Sequence, residues 1–207
     1  DSSRKGRKEQ VVDVAALLRS GDFDVAIPLM VEALKESPNQ PELLHNLGTA
    51  YLTQGKLAEA QAIFDRLIAI EANDIRLRMR LIDIAIELKD WASAFRHCDV
   101  LEREVEAKPD SFACRAKIFA ASGDVKKARA ILFSALAEYP RHLGLLLTFG
   151  DIALASGAPI AAASRGYGPA LKLVPRDQNQ KLHELIAGKL REAVRMADED
   201  QGARDPS

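Results

Sequence analysis

The sequence predicts an all-α protein, a solenoid of about five antiparallel helix pairs plus a C-terminal capping helix. Three observations predict it. The apolar residues are mostly Ala and Leu, which favour helices over strands. Gly, Ala and Pro each recur with a period of 34 residues. An amphipathic segment follows the last recurring proline. Self-similarity at such a period is typical of stacked helical units, which need a cap on the last apolar face.

The first helix of each pair is predicted to end at a glycine. Gly21, Gly55, Gly123 and Gly157 share one 34-residue lattice, and Lys89 stands at its missing position. A left-handed backbone angle ends a helix, and Gly adopts that angle at little cost. Each lattice position therefore marks the turn between two antiparallel helices.

The second helix of each pair carries a small residue and ends near a proline. The small residue allows two helix backbones to approach, and the proline cannot continue a helical hydrogen-bond ladder. The alanine lattice is complete: Ala26, Ala60, Ala94, Ala128 and Ala162. The third lattice runs through Pro38, Ala72, Glu106 and Pro140, with Pro175 displaced by one residue.

At this point a family resemblance is evident. The spacing of Leu44, Leu47, Gly48, Tyr51, Ala60 and Phe64 resembles the tetratricopeptide repeat signature, with Leu where the family often has Trp. The resemblance covers residues 7–176 as five units: 7–40, 41–74, 75–108, 109–142 and 143–176. It implies a right-handed superhelix whose concave surface is formed by the first helix of each pair.

Two units depart from the pattern. The third has Ile82 for the expected Gly, Ala85 for the aromatic residue and Cys98 for the Phe. The fifth carries one extra residue in the stretch SRGYGPALKLVP, after which Tyr167 and Pro175 return to register. Because glycines and a proline stand where the second helix should run, we expect that helix to be shortened, kinked or interrupted over residues 160–170.

The ends of the chain have different patterns. Residues 177–198 have apolar residues at three- and four-residue spacings, which predicts the capping helix. Residues 1–6 and 199–207 lack such a pattern and are predicted to be disordered tails. The chain begins at Asp1 rather than at Met, which indicates a processed or excised product. The compartment therefore stays open between cytoplasm and periplasm, with anchoring by an upstream segment as an alternative.

The resemblance implies a protein–protein interaction scaffold that binds a peptide or protein segment in its concave groove. Arg76 and Arg80 lie one turn apart on one helix, and guanidinium groups suit carboxylates, so the partner is expected to carry acidic groups. Pairing of these arginines with neighbouring acids on a solvated face is an equal alternative. The candidate groove residues are His45, Asn46, Thr49, Arg76, Met79, Arg80, Asp83, Lys117 and Asp151.

Other functional readings are weaker. Asn46, Arg76 and Arg80 resemble part of the clamp with which some family members hold a chaperone's C-terminal carboxylate, but Val11 and Ala15 replace its first half. The alternatives to a free scaffold are a regulatory or targeting module of a larger membrane-anchored or enzymatic protein, and a self-assembling structural protein. A monomer is expected, with self-association through the N-terminal unit as the alternative.

The sequence also excludes several classes. A net charge of −1 argues against nucleic-acid binding, and no apolar run is long enough to span a membrane. The histidines are scattered over separate units, and no catalytic set is recognisable, so neither an enzyme, a cofactor nor a metal site is predicted. Cys98 and Cys114 are expected to be close, either as buried packing residues or as a disulfide in an oxidising compartment.

Overall fold

The computed structural model describes residues 14–104 and 106–204, and every regular element within those ranges is helical. The predicted tail at residues 1–6 and the start of the first predicted unit lie outside the described residues. The helices are α1 (Val14–Ser20), α2 (Phe23–Glu36), α3 (Pro41–Thr53), α4 (Leu57–Ile70), α5 (Ile75–Glu87), α6 (Trp91–Arg103), α7 (Lys108–Ala121), α8 (Val125–Glu138), α9 (Leu143–Ala155), α10 (Pro159–Ala161), α11 (Gly168–Leu173) and α12 (Gln180–Arg204). A π-helical stretch, here called the π segment (Ala162–Tyr167), joins α10 to α11.

The helices pack in consecutive pairs, so the predicted all-α fold is confirmed. The chain divides into two compact units, residues 1–77 and residues 78–207. In the first, α3 packs against α4 and α2 against α3. Met30, Leu44, Leu47 and Phe64 are fully buried there, or nearly so. This core is the apolar face that the helical spacing of these residues produces.

The turns between paired helices have the predicted backbone. Gly21, Gly55, Gly123 and Gly157 all have positive φ, between 71° and 96°. Lys89, at the missing lattice position, has φ of 57° and is the one non-glycine residue of the described chain with such an angle. The turn geometry is therefore kept where the glycine is absent, at a cost of about 1 kcal/mol for a residue with a Cβ.

The second unit contains α6 to α12 and most of α5, and α7 to α12 share one continuous core. That core includes Leu132, Leu145, Phe149, Tyr167 and Ile186, all at most 1% exposed. It therefore draws on α8, α9, the π segment and α12. The capping helix contributes its apolar face, and it contacts the π segment, α10 and α11.

The predicted interruption lies in the second helix of the last pair. Pro159 begins α10, and from Ala162 the helix widens into the π segment before α11 resumes at Gly168. The Gly168 N–H donates to the carbonyl of Ala163, five residues earlier, instead of the fourth residue back. A π turn accommodates one extra residue, so the insertion widens the helix locally and does not end it.

The last helix is longer than the sequence predicted. It starts at Gln180, where the Asn179 side chain accepts the Leu182 N–H at 3.1 Å, and it continues to Arg204, past the predicted end at residue 198. An i,i+4 ion pair at 2.6 Å joins Arg195 to Glu199, the first residue of the added turns. Such pairs extend helices without an apolar stripe, which explains why the periodicity ended too early. Over the described residues, no helix has the length and apolarity needed to cross a bilayer.

Candidate functional site

A groove of about 600 Å³ lies on the first helices of three pairs, α5, α7 and α9, within the second unit. These are the helices that the family resemblance assigns to the concave surface. Below, "the groove" means this concavity. Its apolar lining consists of Ile86, Ala120, Ala121, Val125, Ile152 and Ala155.

Small side chains make the groove deep enough to hold an occupant. Ala120 and Ala121 end α7, and Ala155 ends α9, so the space between these helix ends is left open. Ile86 and Ile152 supply the larger apolar surfaces. A surface of this kind accepts an apolar side chain, because burying it releases about 25 cal/mol for each Å² removed from water.

The polar lining is mostly acidic. Asp83, Glu87 and Asp151 carry carboxylates, and Lys117 is the one basic residue among the lining side chains. Lys117 donates to Asp83 Oδ1 at 2.9 Å. Both side chains are more than one-third exposed, so this pair adds little to stability. The wall therefore presents more negative than positive charge.

Asp151 is held in place by two donors that bind the same oxygen. The Tyr167 hydroxyl donates to Asp151 Oδ1 at 2.7 Å, and Lys189 Nζ donates to Oδ1 at 2.5 Å. Burial and the nearby Asp151 carboxylate raise the pKa of the Tyr167 hydroxyl, which keeps it a donor. Within the described chain, Oδ2 of Asp151 receives no hydrogen bond. This carboxylate is consequently oriented, with one oxygen available to an occupant.

The predicted site residues divide between the two units. Asp83, Lys117 and Asp151, which lie on first helices, line the groove, and a binding role for them stays a prediction. Met79 and Arg80 belong to the same unit and are half-buried, but they are not part of this lining. The other four, which lie in the first unit, are His45, Asn46, Thr49 and Arg76.

In the first unit, the four predicted residues differ in their contacts and in their exposure to solvent. The His45 ring meets Phe64 edge-on, with 6.4 Å between ring centroids. Thr49 and Arg76 are exposed, and Asn46 is half-buried. A binding role for these four stays a prediction.

Sequence reasoning missed two supports of the site, Tyr167 and Lys189. Tyr167 was recognised as a residue back in register, but its hydroxyl was given no partner. Lys189, on the capping helix, was given no role, yet it reaches Asp151 on α9, 38 residues away. There was one indication of this arrangement in the sequence, the one-residue displacement of the fifth unit. That displacement indicated an irregular helix but not that this helix would direct the Tyr167 hydroxyl to Asp151.

Other cysteine and histidine side chains of the described residues lie in pairs away from the groove. Cys98 and Cys114 are both buried as free thiols, and Cys114 Sγ donates to the Ser111 carbonyl at 3.3 Å. The neighbouring Cys98 thiol and burial raise the pKa of the Cys114 thiol. His142 caps α9 by accepting the Leu145 N–H through Nδ1 at 3.3 Å, while its Nε2 lies 3.7 Å from Asp110. Across the described residues, no three His, Cys, Asp or Glu side chains are grouped to hold a metal ion.

Comparison with known proteins agrees with this architecture. Residues 17–79 match the family model described as Tetratricopeptide repeat. Over these residues the chain is similar to tetratricopeptide repeats. No curated protein matches it by sequence.

Solved structures extend the likeness of fold over most of the chain. A tetratricopeptide repeat protein from Parabacteroides merdae is 19% identical, with a TM-score of 0.58 over 87% of this chain and 68% of that one. A thermophilic TPR protein from Thermus thermophilus is 23% identical, with a TM-score of 0.56 over 86% and 95%. YrrB, described as a TPR protein with an unusual peptide-binding site, is 15% identical, with a TM-score of 0.50 over 86% and 89%.

Proposed function

We propose that this protein is an interaction scaffold that binds a peptide or protein segment in the groove and catalyses no reaction. The observation that carries the proposal is the apolar-floored groove of about 600 Å³ across the first helices of three consecutive pairs. Helical repeats commonly use such a concave surface to hold extended or helical segments. YrrB, which has a similar fold, is described by its peptide-binding site.

The charged side chains around the groove are arranged to bind polar groups of a peptide. Its carboxylates are spread over α5 and α9 and surround an apolar floor, which suits recognition of alternating apolar and polar side chains. The expected preference for acidic partner groups rests on Arg76 and Arg80, which lie toward the start of α5 and outside this lining. The preference for acidic partner groups is a separate proposal, which enrichment of Asp- and Glu-rich peptides in a selection on the folded chain would support.

A peptide-display selection tests the proposal. Random 12-residue peptides are selected on the folded chain, and each enriched peptide is then measured by fluorescence anisotropy against a variant with a filled groove. Ala121→Trp places an indole in the groove, because Ala121 is an exposed lining residue at the end of α7. Ala130→Trp is the matched control, since Ala130 is exposed on α8 and does not line the groove.

We expect Ala121→Trp to weaken the enriched peptides at least about tenfold and Ala130→Trp to leave their affinity unchanged. Circular dichroism should show the same helicity for both variants. If peptides bind both variants equally, or if none is enriched, the groove is not the binding site and the proposal fails.

A further inference from the structure

The groove has an excess of negative charge that its own lysine does not cancel. Three carboxylates, those of Asp83, Glu87 and Asp151, line the groove beside one ammonium group, that of Lys117, and Lys189 on the capping helix binds Asp151 Oδ1 from outside the lining. Lys117 is already engaged by Asp83. An occupant with acidic side chains would meet the unpaired Glu87 carboxylate and the open Oδ2 of Asp151, and like charges brought together in a partly desolvated groove repel.

Asp151 has the features of a recognition group. Its Oδ1 accepts from Tyr167 and Lys189, and both donors come from the region after the inserted residue. The side chain is still 49% exposed. A carboxylate fixed in this way loses little rotamer freedom on binding, which lowers the entropic cost of a new hydrogen bond.

The negative charge of Glu87 lies at a helix position where it is electrostatically unfavourable. It lies in the last turn of α5, near the negative end of the helix dipole. It is exposed, and within the described residues it forms no hydrogen bond or ion pair. Its position therefore gives the folded chain no electrostatic stabilisation, and its carboxylate is available to a ligand.

From these features we infer that the groove selects segments in which an apolar side chain is flanked by Lys or Arg. The apolar side chain packs on Ile86 and Ile152, and the cationic groups bind Asp151 Oδ2 and the Glu87 carboxylate. This inference rests on the proposed function, since it names the chemistry of the occupant of the same groove.

The selected peptides provide the direct test. Among 12-residue peptides whose binding is lost in Ala121→Trp, the ratio of Lys and Arg to Asp and Glu should rise at least about threefold over the input library. Their binding should weaken between 50 and 500 mM NaCl, because exposed charges are screened over roughly 10 Å at 0.1 M salt.

Charge substitutions then assign the preference to residues. Glu87→Lys should weaken the Lys- and Arg-rich peptides by roughly tenfold, and Asp151→Asn, which keeps an oxygen for Tyr167, should weaken them by several-fold. Glu59→Lys is the control, because it makes the same charge change at an exposed position on α4 outside the groove. It should leave affinity unchanged.

The outcomes separate the two proposals. Groove-dependent peptides that are neutral or acidic would overturn the charge inference while the scaffold proposal stands. Basic peptides that are unaffected by Glu87→Lys and Asp151→Asn would also overturn it. If no peptide depends on the groove, the proposed function itself fails, and the inference falls with it.

Discussion

The pair α3–α4 and the last pair, formed by α9 and the helix that contains the π segment, pack an aromatic ring against a glycine with two different helix geometries. Both turn at a glycine with φ of 71°, Gly55 in the first and Gly157 in the second. In both, an aromatic ring lies against a glycine of the first helix. A Cβ on Gly48 would come within 2.6 Å of the Phe64 ring, and a Cβ on Gly150 within 2.6 Å of the Tyr167 ring.

The two pairs differ in how many residues separate the ring from the lattice alanine. Phe64 follows Ala60 at the spacing of one α turn, whereas Tyr167 follows Ala162 with one residue more. The π segment accommodates that residue, so the ring still reaches its glycine. In both pairs the contact between the aromatic ring and the glycine is kept, and the geometry of the second helix differs so that it can be kept. In the last pair the ring also carries a hydroxyl, which reaches Asp151.

The largest expected effect comes from Gly166, which has no counterpart in the regular pair. A Cβ there would lie 2.5 Å from the Gly150 Cα, and a backbone atom cannot move aside as a side-chain tip can. We expect Gly166→Ala to lower the free energy of unfolding by about 2–3 kcal/mol. Urea denaturation measures it, with Gly188→Ala as control, because the nearest atom there is 3.9 Å away. Equal effects of the two substitutions would contradict the close backbone approach.

The next effect tests whether the two ring–glycine contacts are equivalent. Gly48→Ala and Gly150→Ala each place a methyl group against a buried ring, and each gains helix propensity. We expect both to destabilise the chain, by about 1–2 kcal/mol. Thermal and urea unfolding of the two variants should give values within about 0.5 kcal/mol of one another. A neutral Gly150→Ala beside a costly Gly48→Ala would mean that the π segment yields where the α-helix does not.

A smaller effect is expected from removing the Tyr167 hydroxyl, which Phe64 lacks. Tyr167→Phe should cost about 1 kcal/mol at pH 8, because it removes a hydrogen bond to a charged acceptor. The control is Tyr51→Phe, which should be near neutral because no hydrogen bond of the Tyr51 hydroxyl is seen within the described chain.

The same substitution predicts a pH dependence. The folded-state pKa of Tyr167 is raised above its unfolded value of about 10, by burial and by Asp151. The folded chain therefore holds this proton more tightly, and its contribution to stability is complete below pH ~10 and declines as the pH rises further. Urea unfolding at pH 9 and pH 11 should show a shallower decline in Tyr167→Phe. Parallel declines in the two proteins would contradict the assignment.

The smallest effect is expected from removing the extra residue. Deleting Ser164, which is exposed within the π segment, should convert that segment to an α-helix and restore the spacing of the regular pair. The free energy of unfolding should change by less than about 1 kcal/mol. Deleting Ala130 from α8 is the control, and it should be severely destabilising, because it rotates Leu132 and Ala135 by about 100° away from the core. A comparably large loss for the Ser164 deletion would show that the π segment is not a simple insertion.

Much of this architecture was predictable because its causes are local. The glycine lattice predicted the turns, and the displacement of Pro175 predicted the irregular helix. Even Lys89 was identified as the missing position, although a lattice gap alone could not reveal whether the turn geometry is kept. These features depend on backbone preferences of single residues and on helical periodicity, which sequence carries directly.

The candidate site was predicted only in part, because its decisive contacts are long-range. Asp151 was placed on the concave surface from its position in the first helix. The arrangement of its two donors requires the capping helix to bring Lys189 to α9, and the π segment to aim the Tyr167 hydroxyl. Neither condition has a local pattern. The predicted basic centre likewise followed Arg76 and Arg80, whereas the groove formed beside the acidic end of the same helix.

The π segment has a consequence for how the repeats of this chain are counted. Adding one residue to an α-helix turns everything after it by about 100°, which would carry the apolar face of α11 off the core. The wider turn cancels that rotation, and Ala170 remains fully buried. The extra residue therefore shifts the residue numbering of the fifth unit by one without changing which side of the helix faces the core. The direction of a side chain around the helix axis, and not its number in the repeat, decides which side chains meet.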